Sequence, residues 1–180
     1  MSVVVRPLAL SDLADLLAVQ LACYGEGFVE SGEVFARRLA SPVNCSLVLE
    51  QGGTVCAYLA AYRSVRGKVT PLHGDFEVVA QPDALYLHDM AVLPAHAGQG
   101  LAHALLQPLW ERAQQEGLRH TALVSVQGSQ GYWARYGYAQ QALEDAVQRQ
   151  RLATYGEGAS YMVRSLVQGP GGHTVRVSPR

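Results

Sequence analysis

The segment from residue 84 to residue 102 constrains the fold most. Ala84 to Leu93 is a nearly continuous apolar run interrupted only by His88-Asp89, and Pro94 stops it. Gly98-Gln99-Gly100 then opens a stretch with Leu101, Leu105, Leu109 and Ala113 at helical spacing. The pattern predicts a buried strand, a tight turn and an amphipathic helix. Pro108 falls inside that helix, removes one backbone donor and predicts a kink. A second strand, Thr121 to Val126, follows the helix, so the two strands are expected to lie parallel across a helical crossover. Glycines let the backbone approach a ligand closely. The helix start that follows offers unpaired N–H groups and the positive end of its dipole, as holding a pyrophosphate requires.

The flanking sequence supplies the rest of the sheet. Val3-Val4-Val5-Arg6-Pro7 reads as an edge strand stopped by proline. Ser11 stands where an N-cap is expected, and Leu13, Leu16, Leu17, Leu21 and Tyr24 recur at helical spacing up to Gly25 and Gly27. A shorter helix is predicted over Ser31 to Leu39. Ser46 to Glu50 and Val55 to Tyr62, separated by Gln51-Gly52-Gly53-Thr54, predict a hairpin. Residues 64–83 are polar and broken by Gly67, Pro71, Gly74 and Pro82, a long loop expected to be functional or mobile. After the Thr121 strand come a short helix, Ser129 to Tyr136, closed by Gly137, then strands near Tyr138 to Leu143 and at Ser160 to Leu166. One domain over residues 1–168 is expected, with 169–180, including Gly169-Pro170-Gly171-Gly172, as a flexible tail.

Composition removes several function classes. With 180 residues, 49% hydrophobic, 16% charged and a net charge of −1, the chain can build one core without staples and lacks the basic excess of a nucleic-acid binder. No apolar run approaches the ~20 residues of a membrane span, and the N-terminus has no signal-peptide pattern. Three cysteines without paired spacing, Cys23, Cys45 and Cys56, argue against a disulfide framework or a zinc site. His96, His103 and His120 have no metal-ligand spacing. A reduced, cytoplasmic protein is expected. Lys68 is the only lysine against thirteen arginines, a bias towards Arg, Ala and Gly that suggests a GC-rich bacterial genome.

The phosphate motifs sort the turn. There is no Gly-Lys-Ser/Thr, so it is not a P-loop. A dinucleotide fingerprint would need glycine where His103 stands and an acidic residue where Ser125-Val126 stand. The arrangement resembles the GNAT superfamily of N-acyltransferases. Met90-Ala91-Val92-Leu93-Pro94, then Ala97-Gly98-Gln99-Gly100-Leu101-Ala102, match its strand–turn–helix signature, except that Ala97 stands where Arg or Gln is usual. Tyr132-Trp133-Ala134-Arg135-Tyr136-Gly137-Tyr138 matches a second family segment, and Arg6-Pro7 also looks like these proteins. The resemblance spans roughly residues 3–166. It implies an α/β (α+β) fold, a mixed, mostly antiparallel sheet of six to seven strands flanked by about four helices.

It also implies acetyl-CoA, or another acyl-CoA, as cosubstrate. The Gly98 to Ala102 backbone would take the pyrophosphate, and the Met90, Ala91 and Val92 edge would take the pantetheine arm. Ser129 and Trp133 fall with the cofactor residues. The loss of Arg at Ala97 implies weaker CoA affinity or a substitute arginine. Transfer to a primary amine, on a small molecule or a peptide, needs a base for the ammonium proton and an acid for the departing thiolate. His88 is the best base, with a hydrogen-bonded histidine in a packed strand as the alternative. Period-2 alternation puts Tyr86, His88 and Met90 on one face and Leu87, Asp89 and Ala91 on the other, unless a bulge shifts the register. Asp89 could orient His88 or act through a water.

Trp133 occupies the family position that usually holds the tyrosine acid, so Tyr132 or Tyr136, an i, i+4 pair, could serve instead. Otherwise water protonates the thiolate, with catalysis resting on proximity and the Val92 N–H holding the oxyanion. Tyr24, Glu30 and Tyr86 are the substrate-binding candidates, Cys23, Tyr24 and Phe28 could form an apolar wall, and His73 could contact substrate. Glu26, Glu30, Glu33, Asp75, Glu77 and Asp83 could form an acidic rim suited to a cationic amine. The rival expectation, favoured by Ala97 and Trp133, is a non-catalytic acyl-CoA-binding sensor or regulatory module. Monomer and homodimer both stay open.

Overall fold

The computed structural model describes residues 2–167. Among them, seven strands form one sheet in the order β1-β2-β3-β4-β5-β7-β6. β1 (Val3–Pro7) is the edge strand that its proline requires, and it pairs antiparallel with β2 (Leu47–Gln51). β2 turns through Gly52 (φ 61°) and Gly53 (φ 79°) into β3 (Thr54–Ser64). Two left-handed residues make the tight hairpin that the Gly-Gly pair predicts. β3 pairs antiparallel with β4 (Ala84–Val92), and β4 pairs parallel with β5 (His120–Ser125). β7 (Ser160–Ser165) runs antiparallel to β5 and carries the two-residue β6 (Ala139–Gln140).

Among the described residues there are five α-helices, one more than expected. α1 (Leu13–Tyr24) and α2 (Gly32–Ala40) pack on one side through Leu16, Val19 and Phe35, against Tyr58, Tyr62, Tyr86 and Tyr161. α3 (Leu101–Gln115) packs on the other through Leu101, Leu105, Leu106, Leu109, Trp110 and Ala113. Leu105 and Leu106 are fully buried, each worth about 1.5–3 kcal/mol of removed apolar surface. Pro108 lies within α3, on its exposed side. α4 (Gln130–Arg135) is short and closed by Gly137 at φ 89°. No helix among the described residues is long and apolar enough to cross a membrane.

Several expectations change. Ser11 is not the cap of α1: Asp12 precedes the helix, accepts the Ala9 N–H (2.8 Å) and pairs with Arg6. Leu21 is 55% exposed, because the buried stripe of α1 runs through Leu16, Val19 and Gln20. The strand expected from Tyr138 to Leu143 is only Ala139–Gln140. α5 (Ala146–Ala153), capped by Asp145, is an addition. The long segment 65–83 is anchored rather than free, with Val69, Thr70 and Phe76 buried and the Tyr155 hydroxyl donating to Thr70 O at 2.6 Å. The tail glycines lie outside the described residues.

The β4 register decides the site. Ala60 faces Asp89 and Ala61 faces Leu87, so His88 is the extra residue of a bulge. Up to His88 the simple alternation holds. Beyond it, Ala91 joins the Tyr86 face while Met90 and Val92 pack with the α3 face, the reverse of unbroken alternation. The parallel pairing with β5 stops at Leu87–Leu123, whereas β3 stays with β4 as far as Val92. The sheet therefore opens between the C-terminal halves of β4 and β5.

Candidate active site

Leu93 N–H donates to Cys56 O at 2.8 Å, fixing which β4 groups face β3. Alternation then directs the N–H and C=O groups of Met90 and Val92 into the opening. The end of α1 reaches two of them. Tyr24 hydroxyl donates to Met90 O (2.6 Å) and the Cys23 thiol to Val92 O (3.1 Å), which leaves the two N–H groups aimed at the gap. A cavity of about 370 Å³ fills it, lined from one side by Tyr24, Phe28, Glu30, Leu72 and Tyr155 and from the other by Ala102, Val124, Ser129, Tyr132 and Trp133. Such apolar clefts with a few convergent polar groups are where ligands bind.

The turn before α3 lies beside this opening in the chain. Gly98 (φ 78°) and Gly100 (φ 75°) are left-handed and exposed, with open space where a side chain would project. Gly100 caps α3 without a side-chain bond, so the first N–H groups of a 15-residue helix face solvent. Gln51 fastens the turn to β2: its amide meets His96 Nδ1 at 2.7 Å and Gln99 Oε1 at 3.3 Å. The stretch from 93 to 104 contains no Arg or Lys. Within this stretch only the backbone N–H groups and the helix dipole can meet an anion.

His88 sits at the wall of the cavity with its side chain 2% exposed. Its Nε2 lies 2.9 Å from Glu30 Oε1. Arg38 donates to both Glu30 oxygens (2.8 and 2.5 Å), and the His73 N–H donates to Oε2 (2.8 Å). Gln20 clamps the Glu30 backbone through two further bonds, 2.9 and 3.0 Å. Burial would raise the Glu30 carboxyl, but His88 and Arg38 hold it well below the usual carboxylate range. An ionised Glu30 accepts from Nε2–H, so in the neutral imidazole Nδ1 is the free base. The Tyr155 hydroxyl lies 3.5 Å from Nδ1, and its proton already goes to Thr70 O. This is an oriented base of the kind that accepts a proton from a nucleophile.

The bulge turns Asp89 to the same side. Its Oδ2 accepts from the Tyr58 hydroxyl at 2.5 Å, and burial pushes its carboxyl up against the pull of that bond. Across the gap, Tyr132 packs edge-on against Trp133 with centroids 5.1 Å apart. Burial, and then the adjacent Tyr136 hydroxyl, hold the Tyr132 phenol above the ordinary tyrosine value, so it keeps its proton. That makes it a hydrogen-bond donor more than an acid. Tyr136 packs on His103 and Trp110 and is not among the cavity walls.

The structure thus brings His88, Tyr132, Met90, Val92, Ala102, Ser129, Trp133, Tyr24 and Glu30 to one cavity. Ala97, Gly98, Gln99 and Gly100 form the exposed turn outside it, and Leu101 is buried in the core. Ala91 is turned into the opposite face by the bulge. Tyr86 is a core residue, 1% exposed, that accepts the Thr70 N–H at 3.3 Å and does not line the cavity. The Glu30 carboxylate is occupied by protein groups rather than free for substrate. His73 is exposed and left-handed (φ 65°), with its backbone on Glu30. Arg38, Tyr58 and Tyr155 carry no sequence signal for the site, although Tyr155 follows a helix whose cap, Asp145, is legible.

A model of the Acetyltransferase (GNAT) family matches residues 13–138. No curated protein matches the chain. Solved structures do match. The ribosomal-protein-S18-alanine N-acetyltransferase from Escherichia coli is 19% identical with a TM-score of 0.68, over 94% of this chain and 97% of that one. A GNAT family acetyltransferase from Brucella melitensis, in complex with acetyl-CoA, is 20% identical with a TM-score of 0.60, over 96% and 94%. The GNAT-like decarboxylase GphF, in complex with isobutyryl-CoA, is 16% identical with a TM-score of 0.70, over 91% and 100%. Likenesses at this identity establish the fold.

Proposed function

The chain belongs to the GNAT acetyltransferase family, and from that premise we propose that it transfers an acetyl group from acetyl-CoA to a primary amine, by direct attack in a ternary complex in the cytoplasm. The observation that supports this reading is that one cavity is lined both by the end of β4 at Met90 and Val92 and by His88, whose imidazole is oriented by Glu30. The residues fit the cosubstrate. The left-handed glycines Gly98 and Gly100 and the start of α3 would hold the pyrophosphate, and the Met90 and Val92 N–H groups would hold the pantetheine arm and acyl oxygen. Acetyl-CoA would supply the activated acyl group as a thioester.

His88 Nδ1 would take a proton from the bound ammonium, freeing the nitrogen lone pair to attack the thioester carbonyl. The Val92 N–H would stabilise charge developing on the acyl oxygen. The Tyr132 hydroxyl would donate a hydrogen bond to the departing thiolate, since the Trp133 indole at the usual tyrosine position cannot protonate it. The departures at Ala97 and Trp133 favour a second reading, a non-catalytic acyl-CoA-binding module. Melting with acetyl-CoA, together with thiol release across an amine panel, separates the two. We expect a raised Tm and amine-dependent release. Stabilisation with no turnover of any amine supports the module, and no stabilisation overturns both.

A further inference from the structure

Charge around the cavity narrows the acceptor. Three of the six carboxylates of the acidic rim that the sequence suggests are ion-paired. Glu30 is bound by Arg38, Asp75 by Arg37 (2.9 Å), and Glu77 by Lys68 (3.3 Å) and Arg151 (2.8 Å). Glu26 and Glu33 are exposed on the outer surface of their segments.

Asp89 is different. It lines the cavity, forms no ion pair among the described residues, and accepts from the Tyr58 hydroxyl on Oδ2. The Tyr24 hydroxyl, which donates to Met90 O, also lies beside this carboxylate, so its partners within the protein are neutral phenols and no cation. A carboxylate desolvated without a cation is costly unless it is protonated or meets a charged ligand. The pressure of burial on this carboxyl, noted above, points the same way.

The rest of the acceptor side is apolar and aromatic: Tyr24, Phe28, Leu72 and Tyr155. It offers nothing to an anionic group. Arg38, behind this wall, is 1% exposed and already bound to Glu30 through both terminal nitrogens, and Arg151 is engaged by Val69 O and Glu77. A carboxylate-bearing acceptor would meet Glu30 and Asp89 with no counter-charge.

Resting on the transferase reading, we infer that the acceptor is a monoamine on an apolar body with no carboxylate, its ammonium received by Asp89. The amine then lies on the same β4 bulge that presents His88, adjacent to the group that would take its proton. Free amino acids are excluded by like charge, and neutral isosteres lose the ion pair.

Calorimetric titration of the full chain, with free CoA and without it, tests this on phenethylamine, phenethyl alcohol and phenylalanine. Phenethylamine should bind about ten- to a hundredfold more tightly than either of the other two, the scale of one charge-assisted contact. Asp89→Asn should abolish the advantage over the alcohol and leave CoA binding unchanged. The variant removes a carboxyl disfavoured by burial, so its Tm at neutral pH should equal or exceed that of the wild type. Equal binding of phenylalanine and phenethylamine, no binding of phenethylamine at millimolar concentration, or a preference retained in Asp89→Asn overturns the inference. Absence of acetyl transfer with this preference intact contradicts the transferase reading alone. Transfer to amines and amino acids alike contradicts only the acceptor assignment.

Discussion

Four hydrogen bonds converge on the Glu30 carboxylate, from both terminal nitrogens of Arg38, from His88 and from the His73 N–H. Removing that charge strands Arg38 in the interior, so Glu30→Gln should cost about 3–5 kcal/mol in denaturant unfolding. The pH dependence has a definite sign. The folded carboxyl lies below its unfolded value, so the unfolded state takes up protons first on acidification. The stabilisation is complete above the ordinary glutamate value of about 4.3 and is lost as the pH falls towards the folded one. Glu30→Gln should flatten this acid limb, and an unchanged limb would show that the carboxylate is not ionised in the fold. Little of this cluster was legible in the sequence. His88 stood out because few side chains titrate near neutrality. Glu30 attracted a substrate role only because nothing in a linear chain says that Arg38, eight residues on, turns back to bind it. Tyr86 alternates with His88 on paper, yet it lies deeper along β4, where Thr70 closes over it.

Elements were easier to read than side-chain partners. The hairpin, the parallel β4–β5 pair, α3 and its glycine turn all rest on local periodicity and turn chemistry, which the chain carries openly. The His88 bulge rests on how β3 pairs with β4, and so it reversed the expected faces of Met90, Asp89 and Ala91. Asp12 displaced Ser11 at the start of α1 because Arg6 and the Ala9 N–H bind it. α5 escaped notice because none of its residues is buried, leaving only a cap signal. The turn before α3 supports a prediction at this scale. Ala97 removes the charge usual in this family but no backbone donor. Ala97→Arg should tighten acetyl-CoA binding about three- to tenfold through one charge-assisted phosphate contact, with the gain shrinking at high salt. Calorimetry at two salt concentrations measures it, and an unchanged or weaker Kd places the phosphates elsewhere.

Across the whole molecule, a net charge of −1 conceals a sorted distribution. Arginines pair with Glu30, Asp75 and Glu77, and the only lysine belongs to the same arrangement. Lys68 Nζ lies 5.6 Å from the Tyr62 ring centroid and 3.3 Å from Glu77, pinning residues 65–83 over the α1–α2 face. The effect is a cavity with two characters. The Met90 and Val92 N–H groups and Ala102 line it towards the exposed turn before α3, and Asp89 and His88 line it on the proposed amine side. Thiol release at saturating acetyl-CoA, with phenethylamine as acceptor, tests this account most directly when wild type and His88→Ala are compared across pH. The account predicts amine-dependent release by the wild type, and a loss of about a hundred- to ten-thousandfold in the variant. Wild-type release that ignores the amine, or a His88→Ala profile of unchanged shape and height, would contradict it.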